Sequence, residues 1–227
     1  MNFIPVLSTL VTFAFTYAVF RRYQSKGGIH LLHWAFGLLL YGLGTLSEVI
    51  MGFTFNEWVL KLWYLTGAML TAAWLGQGSI HLLIRKGDWA TYLTYGLGAV
   101  SVLALVMIAT APLTGAQTNY NVAGTVSEQY KTILTRGGLT IFLTIILNIY
   151  GTLGLVGGAL YSAFLFWRKR VLANRMFGNI LIAAGALSPA MAGTLVKAGI
   201  VDALYISEFI GAIVMFVGFM LATAGKE

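Results

Sequence analysis

In a chain of 227 residues, 59% hydrophobic and 9% charged, too little polar side chain remains to cover a water-soluble domain, and the protein falls in the membrane class. The absence of cysteine excludes disulfide frameworks, thiol redox chemistry and thiolate-ligated metals. A net charge of +7 does not mark a nucleic-acid footprint here, because the basic residues lie in short segments between apolar runs.

Seven runs approach the roughly 20 apolar residues that a helix needs to cross about 30 Å of hydrocarbon. The first, 3–20, starts almost at Met1 with no basic segment before it and no small-residue cleavage site, so it reads as a retained span and not as a signal peptide. Arg21, Arg22 and Lys26 follow it, and the second run, 31–52, has His30 and His33 at its entry and Glu48 one turn from its far end. The third run, 58–84, contains Lys61 and His81, and Asp88 stands where the N-cap of the fourth, 89–111, belongs. Residues 112–137 form the one long loop, in which Thr125 and Glu128 make a capping box for a short helix folded over the bundle. The fifth run, 138–167, holds Asn148, Tyr150, Gly154 and Gly158; its GxxxG spacing reads as an internal packing face. In the sixth run, 173–196, Pro189 cannot donate to the carbonyl of Gly185, which predicts a kink that Ser188 partly compensates. The seventh, 203–223, carries Glu208.

Charge orients this array. Arg21, Arg22, Lys26, Arg85, Lys86, Arg168, Lys169, Arg170, Arg175 and Lys226 share one side, whereas the other holds Lys61, Lys131, Arg136 and Lys197. The positive-inside rule then places the N-terminus outside and the C-terminus in the cytoplasm of a multi-pass protein in the plasma (inner) membrane. Tryptophans and tyrosines fit the two boundaries, with Trp34, Trp89 and Trp167 as inner anchors and Trp58, Trp63 and Tyr205 as outer ones.

The chain also matches itself. A shift of 141 residues sets Gly37 on Gly178, Gly44 on Gly185 and Ser47 on Ser188, and a shift of 144 sets Leu60 on Leu204 and Gly67 on Gly211. The plan implied is three spans, one linking span and three spans, with the two halves parallel.

Two groups of side chains carry chemistry. Ionisable groups inside a span cost roughly 2.5 to 3.5 kcal/mol at its centre. Glu48 and Glu208, with Lys61, Arg136 and Lys197 entering from neighbouring runs, therefore predict either an outward-facing ligand site or a set of structural ion pairs. His30, His33 and His81 gather at the inner ends of the second and third runs. They read as interfacial residues beside the lysines and arginines that hold anionic lipid, with haem or metal ligation or a proton role as the alternatives.

The three-one-three plan, the outside N-terminus and the basic inner loops resemble the transporter, opsin and receptor group of seven-helix proteins. The stretch from "HLLHWAFGLLLYGLGTLSE" to "LWYLTGAMLTAAWLGQGSIHLL" resembles uncharacterised bacterial seven-helix membrane proteins and, more loosely, the membrane sensor region of some histidine kinases. The resemblance implies membrane lipids, a small-molecule ligand and a separate signalling or complex partner. It departs from the microbial rhodopsins, since the last run has no lysine before Lys226, and no retinal Schiff base is expected. No Walker loop, dinucleotide fingerprint, HExxH, nucleophile elbow or kinase signature occurs. No catalytic residue is assigned, and intramembrane hydrolysis is the enzymatic alternative. The expected function is a sensor or receptor-like protein binding a small molecule or lipid; the alternatives are a small-solute or proton-coupled transporter and an accessory subunit holding lipid, pigment or haem.

Overall fold

Helix α1 (Ile4–Lys26) opens with Pro5 in its first turn, where the missing N–H is one that no helical carbonyl would have accepted. The apolar run ends at Phe20, but Arg21 to Lys26 continue the helix. It stops at Gly27 and Gly28, whose φ of 68° and 101° lie where side chains other than glycine are strained. The computed structural model describes residues 3–84, 86–170, 172–197 and 203–224, with side chains described except at 116, 190 and 192–197.

Helix α2 (Ile29–Met51) follows at once. The side chain of Asn56 accepts from the N–H groups of Trp58 (2.9 Å) and Val59 (3.1 Å) and so starts α3, residues 57–83. The middle of α3 is a π-helical stretch, Tyr64–Leu70, flanked by α-helical turns. Asp88 occupies the N-cap position of α4 (Trp89–Ala109) without a side-chain bond to it. A cap segment then crosses one end of the molecule. It contains a 3₁₀ turn, Ala116–Asn119, and helix α5 (Val126–Ile133), and it closes on itself where Thr114 N–H and Thr135 N–H reach the carbonyls of Ile133 and Pro112. Helices α6 (Gly138–Arg168, with a π-helical stretch at Leu153–Gly157), α7 (Ala173–Lys197) and α8 (Ala203–Thr223) complete the chain.

Among the described residues, five helices are long and apolar enough to cross a membrane: α1, α2, α4, α6 and α8. Of these α2 is the most enclosed, with 61% of its central window buried against 17% for α4. That contrast places α2 inside and α4 at the periphery. Six helices close a ring in which α1 packs on α2, α2 on α3, α3 on α6, α6 on α7, α7 on α8, and α8 on α1. Helix α4 leans on the outside of α3 and α6 and presents Tyr92, Tyr95, Val102 and Val106 outward.

Backbone contact at glycine sets the helix crossings. A Cβ on Gly44 would lie 2.9 Å from the Cα of Gly67 where α2 meets α3, and one on Gly185 would lie 2.7 Å from the carbonyl oxygen of Gly211 where α7 meets α8. Where α3 meets α6, a Cβ on Gly151 would lie 2.1 Å from the carbonyl carbon of Ala72. Gly154 packs on Gly76 and Gly158 on Ser79, so the GxxxG face is internal. Between α1 and α2 the contact is polar, with Thr9 Oγ1 donating to Thr45 Oγ1 at 3.0 Å.

Substituting Gly151 by alanine is expected to cost about 1–3 kcal/mol, the usual price of overpacking. Gly96→Ala on α4, which meets nothing within 4 Å, should leave stability unchanged. Unfolding of both variants in detergent checks the contrast.

Candidate functional site

Both intramembrane-type carboxyl groups face the ring interior. Glu48 lies one turn beyond Gly44 on α2, and Glu208 lies three residues before Gly211 on α8, so each sits one turn from a glycine crossing. Their side chains line one cavity and lie close enough to interact. Glu48 is 3% exposed and its Oε1 accepts from Trp63 Nε1 at 2.9 Å. Glu208 is half-buried, and its backbone carbonyl accepts from Tyr41 Oη at 3.0 Å. The second oxygen of each carboxyl is buried and meets no donor of the protein. Burying such an atom is costly unless a proton, a water or a ligand completes it.

The pair borders a cavity of about 420 Å³ enclosed by α2, α3, α5, α6, α7 and α8. Its walls are small residues (Gly44, Gly67, Ala68, Ala72, Gly151) interrupted by Tyr41, Thr71, Tyr130 and Asn148. The cavity exists because glycine crossings bring backbones together within helix pairs while small side chains leave the space between pairs unfilled. Glu48 also lines a smaller cleft of about 80 Å³ under the cap segment, beside Phe3, Pro5, Tyr120 and Tyr205. One carboxyl group thus stands between two spaces.

Cap and carboxyls are linked through Tyr205, which is 5% exposed and accepts from the N–H of Val126 at 3.2 Å, at the start of α5. At that start Thr125 Oγ1 donates to Glu128 Oε2 at 3.0 Å, and the two side chains of the expected capping box bond each other and not the helix N–H groups. Tyr120, in the cap, has a buried hydroxyl without a partner. Burial pushes its ionisation up to about 12, and the nearby carboxyl of Glu48 pushes in the same direction.

Of the predicted cations, the two whose side chains are described, Lys61 and Arg136, do not converge on the carboxyls. Lys61 Nζ is held by Glu57 Oε1 at 2.5 Å and by the carbonyl of Ala109 at 3.0 Å, because Glu57 lies one turn behind it on α3. The Arg136 guanidinium sits over the ring of Tyr130 at 4.8 Å and of Tyr64 at 5.7 Å. The side chain of Lys197 lies outside the described residues. Pro189 lines the cavity, but Ser188 Oγ donates to the carbonyl of Ser207 on α8 and not within its own helix. Trp63 and Tyr205, expected as boundary anchors, face inward at the site, whereas Trp58, Trp89 and Trp167 are exposed at 64–70% as anchors should be. The signal missed at Trp63 is its position five residues after Trp58, which turns it to a different face of α3.

A second polar cluster lies at the opposite, basic end. His33 is 6% exposed, so its side chain packs inside the bundle and is not presented on the outer surface of the helices. Its Nδ1 donates to the carbonyl of Ile29 at 2.8 Å, which leaves Nε2 as an acceptor towards Thr94 Oγ1 at 3.3 Å. His81 Nε2 lies 2.7 Å from the same hydroxyl, and the two imidazoles stack with centroids 4.7 Å apart. Gln77 donates to Thr94 at 2.8 Å and accepts from Tyr150. His30 faces the edge of Trp34, apart from this pair. Among the described residues no group of three or more His, Asp or Glu side chains is placed to hold a metal.

Comparison with protein families, curated proteins and solved structures finds no match to this chain. The functional reading therefore rests on the site itself.

Two outcomes are expected. Trp63→Phe removes the donor to Glu48 and should cost about 1–3 kcal/mol, a loss that Glu48→Leu in the same chain partly relieves. Because the Tyr120 phenol holds its proton to about 12 in the folded protein and to 10.0 ordinarily, the folded state binds that proton more tightly. Its contribution is complete below pH 10 and lost as pH rises from there towards 12. Alkaline unfolding should be less steep in Tyr120→Phe, read from unfolding midpoints across that range.

Proposed function

We propose that the chain is a seven-span membrane protein of the three-one-three plan that binds a small polar or amphiphilic molecule in its central cavity, as a sensor or receptor-like protein. The observation that carries this is the convergence of Glu48 and Glu208, contributed by different halves of the chain, on the wall of a cavity of about 420 Å³. Ligand sites in helical membrane proteins lie at such interfaces between halves, and this volume falls within the roughly 300 to 1,000 Å³ common to small-molecule pockets.

Several features support the seven-span plan. The rods at 57–83 and 173–197 are comparable in length to the five apolar helices and complete the same ring. The ring contacts repeat: α1 on α2 matches α6 on α7, α2 on α3 matches α7 on α8, and α3 on α6 matches α8 on α1. The glycines that the two shifts align, Gly44 with Gly185 and Gly67 with Gly211, form equivalent crossings. The charge pattern supports the basic end as cytoplasmic in an inner membrane.

A transporter is the second reading, and one observation favours it. Glu48 borders both the central cavity and the cleft under the cap, as a group that hands a solute or proton between two compartments would.

Thermal unfolding of the purified protein against a panel of small polar and amphiphilic compounds tests the proposal. A true ligand at about 100 times its Kd should stabilise by about 2.7 kcal/mol, and Glu48→Gln and Glu208→Gln should remove the shift. A panel that stabilises wild type and both variants equally would set the cavity reading aside. Uptake by proteoliposomes separates the two readings, since flux abolished by either variant identifies a transporter.

A further inference from the structure

We infer that the ligand of the cavity is a monovalent organic cation, and that it binds Glu48 and Glu208 in exchange for a proton held between them. The inference rests on the cavity-binding reading and names the class of molecule that the site takes.

The charge arrangement argues for it. Glu48 and Glu208 line one cavity close enough for their carboxyl groups to interact, and a hydrogen bond between two carboxyl groups needs one of them to keep its proton, since only the acid form donates. Each group retains a buried oxygen with no protein donor. The described cations are engaged elsewhere. Lys61 is held by Glu57, Arg136 lies over Tyr130 and Tyr64, and Lys131, on the cavity rim, lies over the ring of Tyr130. Among the described residues, Lys61 with Glu57 is the only ion pair. Among the described residues no cation lies within ion-pair distance of either carboxyl, and a site that presents two carboxyls in this way attracts positive charge.

The surroundings select an organic cation over a small inorganic one. Tyr41 and Trp63 border the same cavity, and aromatic rings attract an ammonium group through their faces. Apart from the carboxyls and the hydroxyls of Tyr41 and Tyr130, the side-chain oxygens of the wall come from Thr45, Thr71, Ser127, Asn148 and Thr152, scattered over α2, α3, α5 and α6 among Gly, Ala and Leu. Asn148 already donates both to Ala68 and to Thr144 through its amide. The oxygen cage that a dehydrated metal ion requires is not gathered at one point.

The exchange balances. The pair with one proton carries a charge of minus one; the cation enters, the O–H bond breaks, one proton leaves to solvent, and the occupied site again carries minus one. Among the described residues, the groups that face the pair are Tyr41 on α2, Trp63 on α3, Tyr120 in the cap, Tyr130 and Lys131 on α5 and Tyr205 on α8.

The experiment uses the full chain in lipid nanodiscs with three probes: choline, tetraethylammonium and 3,3-dimethylbutan-1-ol, the neutral isostere of choline. Calorimetry in buffers of different ionisation enthalpy counts protons, and infrared difference spectra follow the C=O stretch of the protonated carboxyl. At least one cation should bind with one proton released, its affinity falling about tenfold for each pH unit of acidification, and the neutral isostere should bind at least tenfold more weakly. The protonated-carboxyl band should be present before the cation is added and vanish afterwards. Both features should be absent from Glu48→Gln and Glu208→Gln, which keep the shape of the site. Equal binding of the alcohol and choline, cation binding without proton release, or no protonated-carboxyl band in the free protein would each overturn the inference. If the alcohol binds and both cations do not, the cavity reading stands and the cation inference falls. If neither cation binds at millimolar concentration, the inference falls, and if no compound of the wider panel shifts stability either, the cavity reading falls with it.

Discussion

The closeness of backbones at glycine governs this structure. Gly44 against Gly67 and Gly185 against Gly211 let α2 lie on α3 and α7 lie on α8 without intervening side chains. In lipid no hydrophobic drive pulls helices together, so dense contact between small residues has to supply the association. Both glutamates stand one turn from such a crossing, and their meeting follows from where the crossings lie. Tyr41, reaching from α2 to the backbone of Glu208 on α8, fixes the two helices across the ring.

That arrangement leaves a cavity where a soluble protein would place large side chains. Tight pairs made of glycine and alanine have little volume to give to the centre, and the space is bordered by threonine, asparagine and tyrosine as well as by aliphatic groups. The π-helical stretch of α3 belongs to the same design. A wider turn disrupts the regular ladder of hydrogen bonds, and here Thr71 Oγ1 donates to the carbonyl of Thr66 and Asn148 to that of Ala68. Asn148 therefore ties α6 to the irregular part of α3 beside the cavity. Its role is that of an interhelical hydrogen bond, which is the commonest use of asparagine inside a span.

The two ends of the molecule are built differently. At the basic end His33, His81, Thr94, Gln77 and Tyr150 satisfy one another in a chain of hydrogen bonds that joins α2, α3, α4 and α6. This network holds peripheral α4 to the ring together with Trp74 Nε1, which donates to Ser101 Oγ at 3.1 Å, and Lys61 Nζ, which donates to the carbonyl of Ala109. At the other end the cap covers Glu48 and depends on apolar burial of Val126, Ile133 and Leu134, each at most 2% exposed, with Tyr205 as its polar tie. The carboxyl pair thus lies beneath a lid of protein and above an open interior.

Much of this was legible in residue order. Apolar runs marked the helices because a span must satisfy its backbone internally and face lipid with apolar side chains. Glu48 and Glu208 stood out as charged residues in apolar surroundings. What residue order left undecided was partnership. Lys61 lies near Glu48 along the chain, yet it pairs with Glu57 one helical turn away. Trp63 and Tyr205 have the composition of boundary anchors, and only the rotation of α3 and α8 about their axes turned them inward to Glu48 and the cap. His33 looked like a headgroup residue until the packing of α3 and α4 buried it beside His81. Element and depth are local properties, set by hydropathy within a few turns, whereas the facing of a side chain depends on crossings between helices far apart in sequence, and these the tertiary structure alone decides.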